Sequence, residues 1–91
     1  MSYLLQVLPS FQKSLDKFAK RNRRQFEIVQ KKMSEVIENP QHYKNLKAPL
    51  NFLKRVHIDK SFVLLFSVDE REKRVVFEGL EHHDEAYLPS Y

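Results

Sequence analysis

Lys54-Arg55-Val56-His57-Ile58-Asp59-Lys60-Ser61-Phe62-Val63-Leu64-Leu65-Phe66-Ser67-Val68 is the stretch that decides the fold. Its first five residues alternate polar and apolar, the pattern of a strand buried on one side. Alternation directs Val56 and Ile58 towards a core and leaves Arg55 and His57 together on the opposite side. Phe62 to Val68 is apolar almost throughout, as a central strand should be. Asp69-Glu70-Arg71-Glu72-Lys73 then reads as a solvated connection, and Arg74 to Leu80 as the next strand. The three strands form an antiparallel run.

Upstream, the period changes from two to 3.6. Phe11, Leu15 and Phe18 recur at helical spacing after Pro9-Ser10, where Ser10 is placed to cap. The pattern fades in Lys20-Arg21-Asn22-Arg23-Arg24, with Asn22 suited to a turn. Phe26, Val29, Met33, Val36 and Ile37 make a second apolar stripe, ended by Asn39-Pro40 because proline disfavours a helical residue before it. Two amphipathic helices with so short a link form an antiparallel hairpin. Before them, Tyr3 to Leu8 is a short apolar run stopped by Pro9, which reads as a strand. The expected fold is therefore α+β, with the order β-α-α-β-β-β, both helices on one face of a twisted sheet and the opposite face open. Residues 1–91 are expected to form one domain. Gln41 to Ala48 reads as irregular chain.

The totals narrow the possible chemistry. With no Cys there is neither a disulfide framework nor a cysteine-based metal or redox site, which suits a reducing cytoplasm. No run approaches the roughly 20 apolar residues that span a bilayer, and Pro9 interrupts any signal-peptide pattern. A cytoplasmic protein is expected. The formal charge of +4 is unevenly spread, since residues 1–60 carry 13 Lys/Arg against 5 Asp/Glu and residues 61–91 carry 3 against 7. A basic half favours a polyanion or an acidic partner. The chain's one glycine rules out a glycine-rich phosphate loop. His82-His83-Asp84 sits on extended chain, where adjacent side chains point apart. No metal and no cofactor are expected.

What remains is a group of imidazoles and cations around one strand. Arg55 and His57 share a face, His83 follows the last strand with Tyr87 beyond it, and Lys44, Lys47 and Lys54 surround the start of the sheet. Metal-free RNA cleavage uses such parts: a base for the ribose 2′-OH, an acid for the departing 5′ oxygen, and cations for the phosphate. Histidine serves in either proton role near neutral pH. Phe62 and Tyr87 are aromatics able to stack on unpaired bases. Each also has a plainer reading, with Phe62 as core and Tyr87 as a packing lid.

Three blocks then carry a resemblance: Leu46-Lys47-Ala48-Pro49, Arg55 to Phe66, and Val76-Phe77-Glu78-Gly79-Leu80-Glu81-His82-His83-Asp84-Glu85-Ala86-Tyr87. In this order, behind a helix hairpin, they resemble the RelE/ParE toxin superfamily, and within it the YafQ-like mRNA interferases most. The resemblance implies a type II toxin acting as a ribosome-dependent endoribonuclease. Such a toxin cuts mRNA in the ribosomal A site by metal-independent 2′-OH attack. A cognate acidic antitoxin would hold it silent in a hetero-oligomer. His57 and His83 fall on the catalytic histidines of YafQ-like toxins, Tyr87 on the terminal aromatic, and Phe62 on the aromatic that begins the central strand. Arg55 and Lys54 are expected to hold the phosphate, and Lys44 and Lys47 to contact RNA.

Three positions depart from the pattern. Val63 stands where the family often has Arg, Gly79 where YafQ-like toxins have a basic residue, and Ser61 where they have an acid. These departures keep two alternatives open: a catalytically weak or inactive member that binds RNA or a protein partner, and a gyrase-inhibiting ParE-like toxin.

Overall fold

The computed structural model describes residues 2–82. Four strands, β1 (Leu4–Val7), β2 (Lys54–His57), β3 (Phe62–Asp69) and β4 (Arg74–His82), form one sheet in the order β1-β4-β3-β2. β3 runs antiparallel to both neighbours, whereas β1 runs parallel to β4. A parallel partner needs a long crossover, and helices α1 (Pro9–Arg21) and α2 (Arg23–Glu38) supply it. The α+β architecture expected from the periodicity is the one observed.

Local chemistry explains the helix ends. Pro9 occupies the first turn of α1, where its missing N–H costs nothing and its fixed φ suits the helix. Leu8 therefore becomes the N-cap, with no side-chain bond. Ser10, expected to cap, instead donates its hydroxyl to the Glu78 carbonyl of β4 at 3.4 Å. Asn22 closes α1 and opens α2 at once. Its backbone N–H donates to the Phe18 carbonyl at 2.9 Å, while its Oδ1 accepts from the Gln25 N–H at 3.2 Å. A single 3-10 turn, Pro40–His42, follows α2.

The main core lies between the helices and one face of the sheet. Phe11 of α1 and Val29, Met33 and Val36 of α2 are buried against Leu64, Phe66, Val75, Phe77 and Leu80. The rings of Phe11 and Phe66 lie 5.6 and 6.0 Å from that of Phe77.

The other face differs from expectation, because it is partly covered. Leu46 and Leu53, with Leu50 beside them, pack on Val63 and Leu65 and make a second, smaller core. The segment between the 3-10 turn and β2 is thus a folded-back loop. Leu46 N–H donates to the Leu53 carbonyl at 2.9 Å, and Asn45 pairs with Lys54 as an isolated bridge. A strand apolar on both faces needs cover on both, and β3 obtains it from the helices on one side and this loop on the other.

Candidate functional site

Register decides which side chains share a surface. Residues paired across an antiparallel ladder project on the same face. His57 is opposite Val63, which is opposite Glu81; Arg55 is opposite Leu65, which is opposite Gly79. Arg55, His57, Gly79 and Glu81 therefore belong to the loop-covered face, as alternation predicts for the two β2 residues. His57 is exposed and Arg55 half-buried. With strands roughly 4.8 Å apart, the two-strand span from His57 to Glu81 is about 10 Å between Cα atoms.

The same register moves two expected residues to the helix side. Lys54 pairs with Phe66 and Phe62 pairs with His82. Lys54 is only 8% exposed, and its ammonium donates to the Tyr43 carbonyl at 3.0 Å and to Asn45 Oδ1 at 2.9 Å. It fastens the loop to β2, so the phosphate contact expected of it gives way to a positioning role. The parity that paired Arg55 with His57 already required this of Lys54. Phe62 is half-buried, with its ring 4.9 Å from Phe18 in an edge-on contact and 5.5 Å from His82. It contributes to the helix-side core.

The loop carries cations alongside β2. Arg55 N–H donates to the Lys44 carbonyl at 3.2 Å, so Lys44 runs alongside β2 beyond its edge. Lys44 and Lys47 are both exposed. Below them the β2–β3 turn is set by Asp59. Its carboxylate accepts from the Ser61 N–H at 2.7 Å and from the Gln25 side chain of α2 at 2.6 Å. Those two hydrogen bonds, the Ser61 one foremost, favour the ionised form and lower the Asp59 pKa. His83 and Tyr87 lie outside the described residues. Among the described residues no group of three or more His, Asp or Glu side chains is placed to hold a metal ion.

Three features of this face escape a reading by motif. Glu81 stands in the His57 row. Glu78 is the extra residue where the β3–β4 register shifts between Leu65 and Phe66, and it accepts a hydrogen bond from the Ser67 hydroxyl. A β-carbon built on Gly79 would come within 3.3 Å of Glu81 Oε1, so the Glu81 carboxylate leans into the space that the glycine leaves. Counting registers from a correct sheet would have found the first; the bulge would have needed the structure.

Two helices on one face of a four-stranded sheet in the order β1-β4-β3-β2 define an α+β fold. The YoeB/ParE toxin from Agrobacterium tumefaciens superposes with a TM-score of 0.79 at 13% identity, covering 88% of this chain and 98% of that one. A mutant of YafQ from E. coli superposes at 0.74 with 13% identity, covering 92% and 97%. At such identities the likeness speaks for the fold. Sequence carries the relationship further. The family model described as the ParE toxin of type II toxin–antitoxin systems, parDE, matches residues 5–87. The chain is 52% identical over 85 residues to the putative toxin RelE4 of Methanocaldococcus jannaschii, covering 93% of this chain and 90% of that protein. The chain belongs to the ParE toxin family within the RelE/ParE superfamily of type II toxins.

Proposed function

We propose that this toxin is a ribosome-dependent endoribonuclease that cleaves mRNA in the A site without a metal. The observation that carries the reading is the placement of His57 and Arg55 on one sheet face, beside a loop that presents Lys44 and Lys47. In the reaction, one histidine takes the proton of a ribose 2′-OH, and the freed oxygen attacks the adjacent phosphorus. The bond from phosphorus to the 5′ oxygen breaks as the other histidine protonates that oxygen. The products are a 2′,3′-cyclic phosphate and a 5′-hydroxyl. His57 supplies one imidazole and His83 the other, in either order. The Arg55 guanidinium is suited to bind two phosphate oxygens at once. Tyr87 is the proposed stacking ring, while the half-buried Phe62 packs on the helix side of the sheet.

An acidic antitoxin is the proposed partner, in a hetero-oligomer in the cytoplasm. Lys20, Arg21, Arg23 and Arg24 are all exposed at the α1–α2 junction. The first turn of α2 has no acidic residue, although the helix dipole there favours anions. Cations held against the dipole gain from an acidic neighbour.

Glu78, Gly79 and Glu81 favour a second reading, a weak or non-cleaving member that still binds RNA or protein. Carboxylates stand on β4 where a phosphate would need cations. Losing one transition-state donor typically costs about 10²–10³-fold in rate.

Expression of the wild type should arrest growth and release cut mRNA, and the paired substitution His57→Ala/His83→Ala should abolish both. Arrest that persists in the double variant would contradict the assignment. Arrest with intact mRNA and lost gyrase supercoiling would move the protein to a gyrase target.

A further inference from the structure

Phe52 is 59% exposed, although it lies in a loop whose other large apolar residues are buried or half-buried. The cause is local. Leu53 N–H donates to the Leu50 carbonyl at 3.0 Å, closing a turn whose two flanks, Leu50 and Leu53, face Val63 and Leu65. With both flanks turned inward, Asn51 and Phe52 at the tip must turn outward. Asn45 holds the tip by donating its side-chain amide to the Asn51 carbonyl at 2.8 Å, and Lys54 holds Asn45 in turn. The ring is therefore displayed by a pinned turn and not by a loose one.

Its own loop is cationic. Between Glu38 and Asp59 the chain contains no carboxylate, while Lys44, Lys47, Lys54 and Arg55 all fall there. Leu4 and Leu5, the other exposed large apolar residues among the described residues, lie on β1 at the far edge of the sheet. Among the described residues, only Phe52 combines an exposed ring with exposed lysines of the same loop, the one that covers the face of His57. Single exposed apolar residues are common and by themselves mean little. An aromatic ring on a basic surface is different, because it matches a polymer of flat bases on a charged backbone.

We propose that Phe52 is a base-stacking platform for single-stranded RNA, working with Lys44 and Lys47 beside the His57 face. The inference rests on the RNA reading above and deepens it by naming a contact that binds a base ahead of the chemistry. An acidic polypeptide would also suit the cations, but it would need apolar bulk at this position and not an aromatic face.

The test is binding of the full chain to a fluorescent single-stranded RNA whose 2′ positions are methylated, so that cleavage cannot interfere. Phe52→Ala and Phe52→Leu should both weaken binding about tenfold, within the range expected for one lost base–aromatic stack. Phe52→Trp should restore it. The salt dependence should be unchanged by Phe52→Ala and reduced by about one counterion by Lys47→Ala. Binding by the wild type with equal affinity for Phe52→Ala would overturn the platform and leave the RNA reading in place. Full binding by Phe52→Leu would overturn it too, and lost antitoxin affinity in that setting would assign the ring to a protein. No binding by the wild type would overturn the platform, whereas the RNA reading stands or falls separately on mRNA cleavage in the presence of ribosomes.

Discussion

The two faces of β3 are covered by different means. On one, two helices of 13 and 16 residues bury Leu64 and Phe66 among aromatic and branched side chains from three elements. On the other, a loop without regular structure covers Val63 and Leu65 with three leucines. The first cover holds the larger core, and the second carries the proposed RNA-contacting residues over the sheet. A loop can place Lys44, Lys47 and Phe52 beside His57 because its own backbone is not committed to a regular ladder, yet the buried leucines and Lys54 keep it in place.

The contrast should appear first in stability. Phe66→Ala removes a fully buried ring and should cost about 3–5 kcal/mol, enough to unfold a domain of this size. Leu65→Ala, on the loop side, should cost about 2–3 kcal/mol because a loop collapses onto a cavity more readily than a helix pair does. Chemical denaturation of both variants measures the difference. Equal losses would mean that the loop-side core is as rigid as the main one.

A smaller effect isolates the loop itself. Lys54→Met keeps the apolar stem and removes the ammonium bonded to Tyr43 and Asn45. The expected loss is about 1–3 kcal/mol. Amide exchange should quicken across residues 44–53 and stay slow in β3 and β4. Uniform quickening would show that Lys54 supports the whole fold.

Secondary-structure type and the helix-side core were legible from periodicity alone, since Phe11, Val29, Met33 and Val36 recur at helical spacing and β3 is continuously apolar. The pairing of Arg55 with His57 was legible for the same reason. The leucines of the loop were not. Leu46, Leu50 and Leu53 sit around Pro49 in a stretch with no period, and only the demand of β3 for cover on both faces hints at their role. The parallel β1–β4 pairing and the Glu78 bulge are long-range choices that no local pattern states. Phe62 shows the opposite hazard, where a family position suggested stacking and the register turned the ring towards Phe18.

The smallest expected effect lies furthest from the site. At the β1 end, Glu70 accepts hydrogen bonds from Lys73 at 2.7 Å, from the Gln41 side chain, and from the Tyr3 hydroxyl at 2.9 Å. These bonds, the Lys73 one foremost, lower its pKa to about 2. A carboxylate whose folded pKa is depressed stabilises the fold above its unfolded pKa of about 4.3. That contribution fades as pH falls from there through about 2. Glu70→Gln should therefore flatten the acid limb of the stability–pH curve while leaving the proposed mRNA cleavage at neutral pH unchanged. An unaltered acid limb would mean that solvent screens the cluster completely.

The central claim is that this toxin cuts RNA with His57 as one of its proton-transfer groups. The direct test maps mRNA ends in a reconstituted translation system, with and without ribosomes, for the wild type and His57→Ala. The account predicts ribosome-dependent cuts ending in 2′,3′-cyclic phosphate, reduced at least 100-fold in the variant. Cuts of equal rate from His57→Ala, or no cuts from a folded wild type, would contradict it.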